Sequence, residues 1–374
     1  MIWLTLLLLC CLLVYAEFVG QSARAFGRLR CGSLPAEPLP FVSLIIPARN
    51  EAARIEACLQ SALGQDYPAD RYEVILVNDH SEDHTAEIAR RIAATAPNLR
   101  VLDLTAVVNA SKKAALTQAI AVARGEIILQ TDADCTAGPA WVRTMAGQFG
   151  QMTGMVSGPV LVTTGAAWLE RLQSLELAGL VALGAGAIAR NRPNLCNGAN
   201  LAYRKAVFEE VGGFAGATRV ASGDDEFLLQ KIHALRRYEI RFAKCPEAIV
   251  QTPALPDWPS LKAQRLRWVS KARSYLNRRV NMIQLVSYLG FWTFPVLGAL
   301  AWTGSGYGWL LALAIGAKLV ADYGLMTKAC MFLRKKFDWP EWLLLELVYI
   351  PYVLWIGLAG NLVKDYVWKG RRVE

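Results

Sequence analysis

Between about residue 41 and residue 250, short apolar runs of β type alternate with longer stretches of helical periodicity. The predicted strands cover residues 41–47, 72–78, 99–104, 126–131 and 155–162. The predicted helices cover residues 51–63, 110–123 and 139–149, with one more that Ser81 or Asp83 caps and that runs to about Ala96. Strands that alternate with helices form a parallel sheet covered on both faces. We therefore predict an α/β fold with a mostly parallel sheet and helices on both faces.

Apolar stretches at both ends of the chain approach the ~20 residues that cross a bilayer. They cover residues 1–16 and regions near 283–302, 307–326 and 341–363. The first stretch has no basic segment before it and no convincing cleavage site, so we expect a retained anchor. Residues 168–189 are also apolar, but Glu170, Arg171 and Glu176 interrupt them. We predict a helix that rests near the membrane interface.

The formal net charge of +9 is concentrated beside these apolar stretches. The flanking cations are Arg24, Arg28, Arg30, Lys262, Arg265, Arg267, Lys271, Arg273, Arg278, Arg279, Lys328, Arg334, Lys335 and Lys336. By the positive-inside bias, they predict a multi-pass protein of the inner cell membrane whose central domain is cytoplasmic. This placement suits anionic lipid headgroups, and no nucleic-acid partner is predicted.

The basic segment at 364–372 constrains the topology. With the amino terminus outside, four complete crossings would leave this segment outside as well. Either one apolar stretch is re-entrant or interfacial, or the tail breaks the positive-inside rule. Pro351 and Glu346 make the last stretch the natural candidate for a bent segment.

The predicted organisation has four parts. These are an amino-terminal membrane anchor at 1–20, an α/β domain at 41–255, an amphipathic interfacial helix at 256–281 and carboxyl-terminal transmembrane segments at 282–364. The eight cysteines show no Cys-x-x-Cys spacing. They are predicted to be reduced thiols that form neither a disulfide framework nor a zinc site.

Three acidic clusters follow apolar runs of the central region. Asp79 ends the second predicted strand, while Asp132 and Asp134 follow the fourth. Carboxylates two residues apart beyond a strand suit a hard cation such as Mg²⁺ or Mn²⁺ that also binds a diphosphate. Asp224 and Asp225 open a predicted helix, and one carboxylate there could accept the proton of a hydroxyl. Turn formation and helix capping are the structural alternatives for these clusters.

Basic and aromatic residues supply a second set of candidates. Gln264, Arg267 and Trp268 lie within two helical turns, and they combine an amide, a forked cation and an indole. Arginine neutralises a diphosphate bidentately, and tryptophan stacks on a sugar or a base. Lys112 offers a further phosphate contact. The alternatives are an interfacial helix with lipid-facing arginines and an ordinary exposed lysine at a helix start.

These residues together resemble the membrane-bound members of glycosyltransferase family 2, whose catalytic domain has the Rossmann-like GT-A fold. The resemblance covers about 41–270 in the order of the family's motifs. The matching stretches are Ile46-Pro-Ala-Arg-Asn-Glu51, Val77-Asn-Asp79, Ser111-Lys-Lys-Ala-Ala-Leu116, Asp132-Ala-Asp134, Asn197-Gly-Ala-Asn200, Gly223-Asp-Asp225 and Gln264-x-x-Arg267-Trp268.

The resemblance implies an inverting sugar transfer without a covalent intermediate, dependent on Mg²⁺ or Mn²⁺. It makes Asp225 the general base and Asp134 the metal ligand. The implied nucleotide-sugar contacts are Pro47, Glu51, Asp79, Lys112, Asp132 and Arg267. The residues implied to line the acceptor side or to close over the diphosphate are Asn197, Asn200, Asp224, Gln264 and Trp268.

The resemblance extends to ceramide and carotenoid glucosyltransferases and to processive polysaccharide synthases. A polymer needs a polar tunnel enclosed by several helices, and three or four spans leave little room for one. We therefore expect transfer of a sugar from a nucleoside-diphosphate sugar to a lipid or lipid-linked hydroxyl, and we expect the donor to be a UDP-sugar. A processive synthase of an extracellular polysaccharide is the first alternative, and a catalytically silent membrane scaffold is the second.

Overall fold

The computed structural model describes residues 2–32, 37–105, 111–216, 223–270, 278–304, 306–362, 366–368 and 371–373. Ser222, the middle of the predicted interfacial helix (271–277) and parts of the basic carboxyl-terminal segment lie outside these residues. The strands are β1 (Val42–Ala48), β2 (Tyr72–Asn78), β3 (Leu99–Asp103), β4 (Ile127–Gln130), β5 (Thr136–Ala137), β6 (Thr153–Ser157), β7 (Val160–Thr163), β8 (Leu201–Arg204), β9 (Glu239–Phe242), β10 (Val250–Pro253), β11 (Tyr366–Trp368) and β12 (Arg371–Val373).

The helices divide into those that pack on the sheet and those of membrane length. In chain order they are α1 (Ile2–Arg28), α2 (Ile55–Leu63), α3 (Thr85–Ala93), α4 (Lys112–Val122), α5 (Trp141–Ala146), α6 (Trp168–Ala189), α7 (Lys205–Glu210), α8 (Asp224–Ala234), α9 (Trp258–Ser270), α10 (Arg278–Phe291), α11 (Thr293–Trp302), α12 (Gly308–Phe332) and α13 (Trp339–Leu362).

A mostly parallel sheet of seven strands forms the centre of the described α/β domain, in the order β3-β2-β1-β4-β8-β6-β9. The strand β8 runs antiparallel to both of its neighbours. Successive residues of β1 face opposite cores, as the pleat of a strand requires. Leu44 and Ile46 pack in the cluster that contains Leu59 of α2, while Ile45 packs in the cluster that contains Leu116 of α4. The predicted α/β class with helices on both faces is confirmed.

The first four predicted strands are confirmed to within one or two residues, but the fifth is wrong. The run predicted as one strand at 155–162 divides into β6 and β7, which belong to different sheets. Gly158 and Pro159 separate the two strands. A Cβ atom at position 158 would lie 2.2 Å from Asn200 Nδ2, so glycine is what allows the backbone to pass this close to that side chain.

Among the residues that the structure describes, five helices are long and apolar enough to cross a membrane: Ile2–Arg28, Trp168–Ala189, Arg278–Trp302, Gly308–Phe332 and Trp339–Gly360. The second of these, α6, connects β7 to β8, and the sheets on both sides of it belong to one domain. A helix that crossed once would separate those strands across the bilayer. The helix α6 therefore does not cross, and it packs instead between the sheet domain and the helices α1, α12 and α13.

One expectation about the cysteines is wrong. Cys31 and Cys245 form a disulfide, and they lie 214 residues apart in the sequence. The short spacing on which the prediction relied cannot reveal a pair that only the fold brings together. The bond joins the segment after α1 to the end of the α/β domain, and Lys244 reinforces that contact by donating to the carbonyl groups of Phe26 and Leu29.

Candidate active site

A single cavity of about 1170 Å³ opens at the carboxyl ends of β1, β2 and β4 and continues between the helices α6, α9, α10 and α13. Parallel sheets bind ligands at this edge. Every residue that we predicted from the sequence as part of the site lines this cavity, except Asn200. These residues are Pro47, Glu51, Asp79, Lys112, Asp132, Asp134, Asn197, Asp224, Asp225, Gln264, Arg267 and Trp268.

Lys112 joins two of the acidic clusters. Its Nζ lies 2.5 Å from Asp132 Oδ1 and 3.7 Å from Asp224 Oδ2. Ser111 caps the helix α4 by accepting a bond from the Ala114 N–H, and this cap fixes the lysine at the cavity edge. Burial opposes the charged lysine, but the two carboxylates outweigh it and raise the pKa of Lys112 well above its usual range. The lysine therefore carries its charge at neutral pH.

Asp224 and Asp225 are adjacent in sequence but differ in environment. Asp224 is buried and accepts a bond from Gln130 Nε2 at 3.2 Å. Burial raises the pKa of Asp224, yet Lys112 and Gln130 together hold it below its usual value. Asp225 is only partly buried, and its Oδ2 accepts the Gly198 N–H at 2.9 Å. An oriented carboxylate that reaches the cavity suits a general base.

Asp79 lies directly after β2 and is 2% exposed. Its backbone N–H donates to the Ala48 carbonyl at 2.7 Å, and its Oδ1 lies 3.1 Å from His80 Nδ1. Arg49 donates to the carbonyl oxygens of Asp79 and His80 and also lines the cavity. Pro47 and Glu51 also line the cavity, so this corner offers polar groups that could bind a base or a ribose.

Asp132 and Asp134 follow β4 in a turn that the Cys135 N–H closes by donating to the Asp132 carbonyl at 3.1 Å. Both carboxylates line the cavity and both are partly exposed. Within the described residues, no group of three or more His, Cys, Asp or Glu side chains is gathered as a complete metal site. Two carboxylates facing a cavity still fit Mg²⁺ or Mn²⁺, because such ions take further oxygen ligands from phosphates and water.

The helix α9 places Gln264, Arg267 and Trp268 on the opposite wall. Its neighbouring residue Arg265 is 6% exposed and makes a buried ion pair with Glu176 of α6, with Nη2 to Oε2 at 2.5 Å. Arg265 also donates to the Gln264 side chain, and its guanidinium lies 4.1 Å from the Trp268 ring centroid. Burial disfavours the charged form, but Glu176 raises the pKa of Arg265. The pair therefore fixes the motif against α6.

Beyond these polar walls the cavity becomes largely apolar. It extends between α6, α10 and α13, where aliphatic and aromatic side chains predominate and Gln173, Glu176, Asn281, Gln284 and Ser287 add polar groups. The aliphatic and aromatic side chains include Leu177, Leu180, Val181, Ile283, Leu285, Tyr288, Phe291, Tyr349, Val353 and Ile356. The same cavity thus has a carboxylate-rich end in the α/β domain and an apolar arm among the helices.

Asn200 does not line the cavity, in contrast to the prediction from its motif. It is fully buried, and its Oδ1 accepts from Trp141 Nε1 at 3.0 Å. Its Nδ2 donates to the carbonyl oxygens of Pro159 and Ala248. We assign it a structural role in joining the two sheets instead of a contact to the acceptor.

Four residues of the site were not nominated from the sequence: Arg49, Glu176, Gly198 and Arg265. Arg49 and Gly198 lie inside two of the motifs, so both could have been predicted as site residues from the sequence. Arg265 was counted only among the membrane-flanking cations. Glu176 was treated as an interruption of an apolar helix, although a buried acid in such a helix requires a partner.

Comparisons with known proteins agree with this geometry. The model of the family described as Glycosyl transferase family 21 matches residues 5–374. Glycosyltransferase AglE of Haloferax volcanii is 32% identical over 234 residues, which cover 60% of this chain and 71% of that protein. Beta-monoglucosyldiacylglycerol synthase of Trichormus variabilis is 38% identical over 96 residues, which cover 26% of this chain and 20% of that protein.

A solved structure resembles the whole chain. The mannosyltransferase PcManGT from Pyrobaculum calidifontis, in complex with GDP-Man and Mn²⁺, superposes with a TM-score of 0.61 over 95% of this chain and 99% of that chain. The sequence identity is 22%, so the likeness concerns the fold. It confirms the predicted GT-A architecture with apolar helices at both ends.

Proposed function

The chain belongs to glycosyl transferase family 21, and we propose that this glycosyltransferase moves a sugar from a nucleoside-diphosphate donor to the hydroxyl of a membrane lipid. The observation that carries the proposal is the continuity of one cavity. Its polar end suits a nucleotide sugar, and its apolar arm, lined by α6, α10 and α13, suits an acyl or isoprenoid chain.

We assign the proton transfer to Asp225. Its carboxylate takes the proton of the acceptor hydroxyl while that oxygen forms a bond to the anomeric carbon. The bond from this carbon to the diphosphate oxygen breaks on the opposite side, which inverts the configuration. The Gly198 N–H donates to Asp225 Oδ2 and the Glu226 N–H donates to Oδ1, so both oxygens are held in place and each keeps a lone pair that can accept the hydroxyl proton.

The leaving diphosphate gains one negative charge when its bond to the anomeric carbon breaks, and cations must balance that charge. Lys112 and Arg267 line the cavity and supply positive charge. Asp132 and Asp134 are the residues that would hold Mg²⁺ or Mn²⁺, which when bound neutralises the diphosphate as a Lewis acid. Trp268 lies on the wall of α9, where an indole can stack on the sugar.

The base assignment is tested with the full-length protein in detergent. A panel of UDP-sugars and GDP-mannose is supplied with a membrane lipid extract, and diphosphate release and glycolipid mass are measured. Asp225→Asn is expected to lower turnover at least a hundredfold, since general bases contribute roughly 10²–10⁴-fold, while nucleoside diphosphate still binds. Asp70→Asn, which changes an exposed carboxylate, is the matched control. Wild-type turnover in Asp225→Asn would refute the assignment.

The metal assignment predicts a different pattern. Chelation should abolish wild-type transfer, and added Mg²⁺ or Mn²⁺ should restore it. Asp134→Ala should lower activity roughly a hundredfold and shift the metal concentration for half-maximal activity upward, because one of two protein ligands is lost. An Asp134→Ala enzyme that keeps full activity in the presence of chelator would contradict the role.

The products also separate lipid glycosylation from polymer synthesis. A single-sugar transferase yields lipids that carry one or a few sugars, whereas a processive synthase yields long chains from the same donor. The apolar arm favours the first outcome, because a growing polysaccharide would need polar walls. The membership in an enzyme family and the convergence of Asp79, Asp132, Asp134 and Asp225 count against a silent scaffold.

We also propose that the α/β domain lies in the cytoplasm, at the inner face of the cell membrane. Nucleotide sugars are made in that compartment, and the cations that flank the apolar helices follow the positive-inside bias. We propose no nucleic-acid partner for this protein.

A further inference from the structure

The helices α1 and α6 cross at unusually close range. A Cβ atom at Gly186 of α6 would lie 2.2 Å from the backbone oxygen of Ser22 in α1. Only glycine permits this approach, and small residues have the same use at other helix crossings. The crossing brings Arg190, the residue that follows α6, against the last two turns of α1.

A small pocket of about 210 Å³ lies at this junction. Its lining consists of Gln21, Arg24, Ala25, Arg28 and Arg190. Gln21, Arg24 and Arg28 are spaced by three and four residues, so they share one face of α1. Arg190 donates from Nη2 to the Gln21 side chain across the junction. Three guanidinium groups thus surround a pocket whose lining contains no acid.

The positive charge of this pocket is poorly balanced. Arg24 lies 3.5 Å from Glu17, but both side chains are about three-fifths exposed, so water screens the pair. The Nη1 group of Arg190 is buried and has no hydrogen-bond acceptor in the described part of the chain. Burial and the nearby charges of Arg192 and Arg24 lower the pKa of Arg190, and the opposing effect of Glu17 does not offset them. A bound anion would relieve this excess.

The position along α1 indicates the depth of the pocket. Leu13 and Val14 are exposed apolar residues of the membrane-length helix. Arg24 follows ten residues after Val14, which is about 15 Å along a helix at 1.5 Å per residue. The exposed apolar residues of α1 and its arginines are therefore separated by about the distance between acyl chains and headgroups. This places the pocket at the level of the headgroups.

We propose that this pocket binds a phosphate group, supplied by the headgroup of an anionic phospholipid or by phosphate in solution. The arginine fork matches two phosphate oxygens at once. Arg190 contributes its unpaired donor, and Arg24 and Arg28 approach from α1. None of the pocket's lining residues lines the catalytic cavity, so the proposal does not depend on the proposed reaction.

The test uses the full-length protein purified in a neutral detergent. Short-chain phosphatidylglycerol is the lipid probe, phosphatidylcholine of the same chain length is the neutral control, and inorganic phosphate is the soluble probe. Binding is measured by native mass spectrometry and by calorimetric titration. Tight binding of phosphatidylglycerol alone assigns the site to lipid, and equally tight binding of inorganic phosphate assigns it to a soluble anion.

Three variants make the test specific. Arg190→Gln and Arg28→Gln should each weaken the bound phosphate about tenfold, since each removes one charge-assisted contact. Arg28 is exposed, so its replacement leaves the fold intact. Lys336→Gln removes an equal charge after α12 and should leave binding unchanged. Equal binding of both lipids with no phosphate binding, or unchanged phosphate binding in both arginine variants, would overturn the proposal.

Discussion

Gly198 occupies the point where the acidic and basic groups of the site meet. A Cβ atom there would lie 3.2 Å from both Asp224 Oδ2 and Lys112 Nζ, and 3.3 Å from Gln130 Nε2. Its backbone N–H also holds Asp225. The absence of a side chain therefore allows three functional groups to converge on one peptide unit.

Gly198→Ala should consequently impair transfer more than it impairs folding. The added methyl group displaces Lys112 and Asp224 by a few tenths of an ångström, and misplacement of reacting groups costs roughly tenfold to a hundredfold in rate. Turnover is measured alongside the thermal midpoint, which should fall only slightly. Gly138→Ala is the matched control, because nothing lies within 4 Å of a Cβ atom at that position. Equal activity of the two variants would contradict this view of Gly198.

At the scale of elements, the ion pair between Glu176 and Arg265 connects α6, a helix of the apolar arm, to α9, the helix that carries Trp268. Both side chains are about nine-tenths buried. A buried pair of this kind is weak evidence for net stability, but loss of one partner leaves the other charge without compensation. The pair therefore makes the position of α9 depend on that of α6.

Arg265→Met should lower the free energy of unfolding by about 3–5 kcal/mol, because Glu176 remains buried and unpaired. The double variant Arg265→Met/Glu176→Gln should recover most of this stability without recovering turnover, since Gln264 and Trp268 lose the contacts that orient them. Denaturation in detergent and initial rates are compared for both variants. A double variant with wild-type turnover would show that the pair has no positioning role.

The elements that the sequence predicted well are those whose signal is local. The alternation in β1 and β2 and the acids after β4 follow from neighbouring residues. The features that were missed depend on distant partners. Asn200 was predicted as an acceptor contact from its motif alone. Its hydrogen bonds to Trp141, Pro159 and Ala248 form only when the two sheets meet, so the sequence could not show them. The same holds for the pairing of Cys31 with Cys245.

At the scale of the whole molecule, the helices fall into two groups. The segment α10–α11 leaves the domain, and α12 returns, because Phe332 at its end lies 5.8 Å from Phe26 and Lys244 of the domain lies near both rings. The helices α6 and α9 stay with the domain, since α6 joins two of its strands and α9 begins soon after β10.

The helix α13 contacts these domain-side helices at both of its ends. Near its start, Glu341 pairs with Arg171 of α6 at 2.7 Å. Near its end, the ring centroids of Trp355 and of Trp258 in α9 lie 6.4 Å apart, and Gly360 packs on the Val269 side chain. A crossing helix would carry one end ~30 Å away from the domain. The contacts at both ends therefore favour a helix that lies along the membrane, as Pro351 and Glu346 suggested.

With α13 along the membrane, three candidate crossings remain, α1, α10–α11 and α12, and we predict that they return the chain to the side of the α/β domain. The hairpin of β11 and β12 also lies against α9. A tag fused after residue 374 should therefore be cleaved by protease in inverted membrane vesicles, together with the α/β domain, while a tag placed between α11 and α12 should be cleaved only in right-side-out vesicles. Cleavage of the carboxyl-terminal tag on the opposite side from the domain would mean that α13 crosses. The expected result also brings the basic segment at 364–372 to the same face as the other juxtamembrane cations, so the charge bias and the helix contacts would agree on one topology.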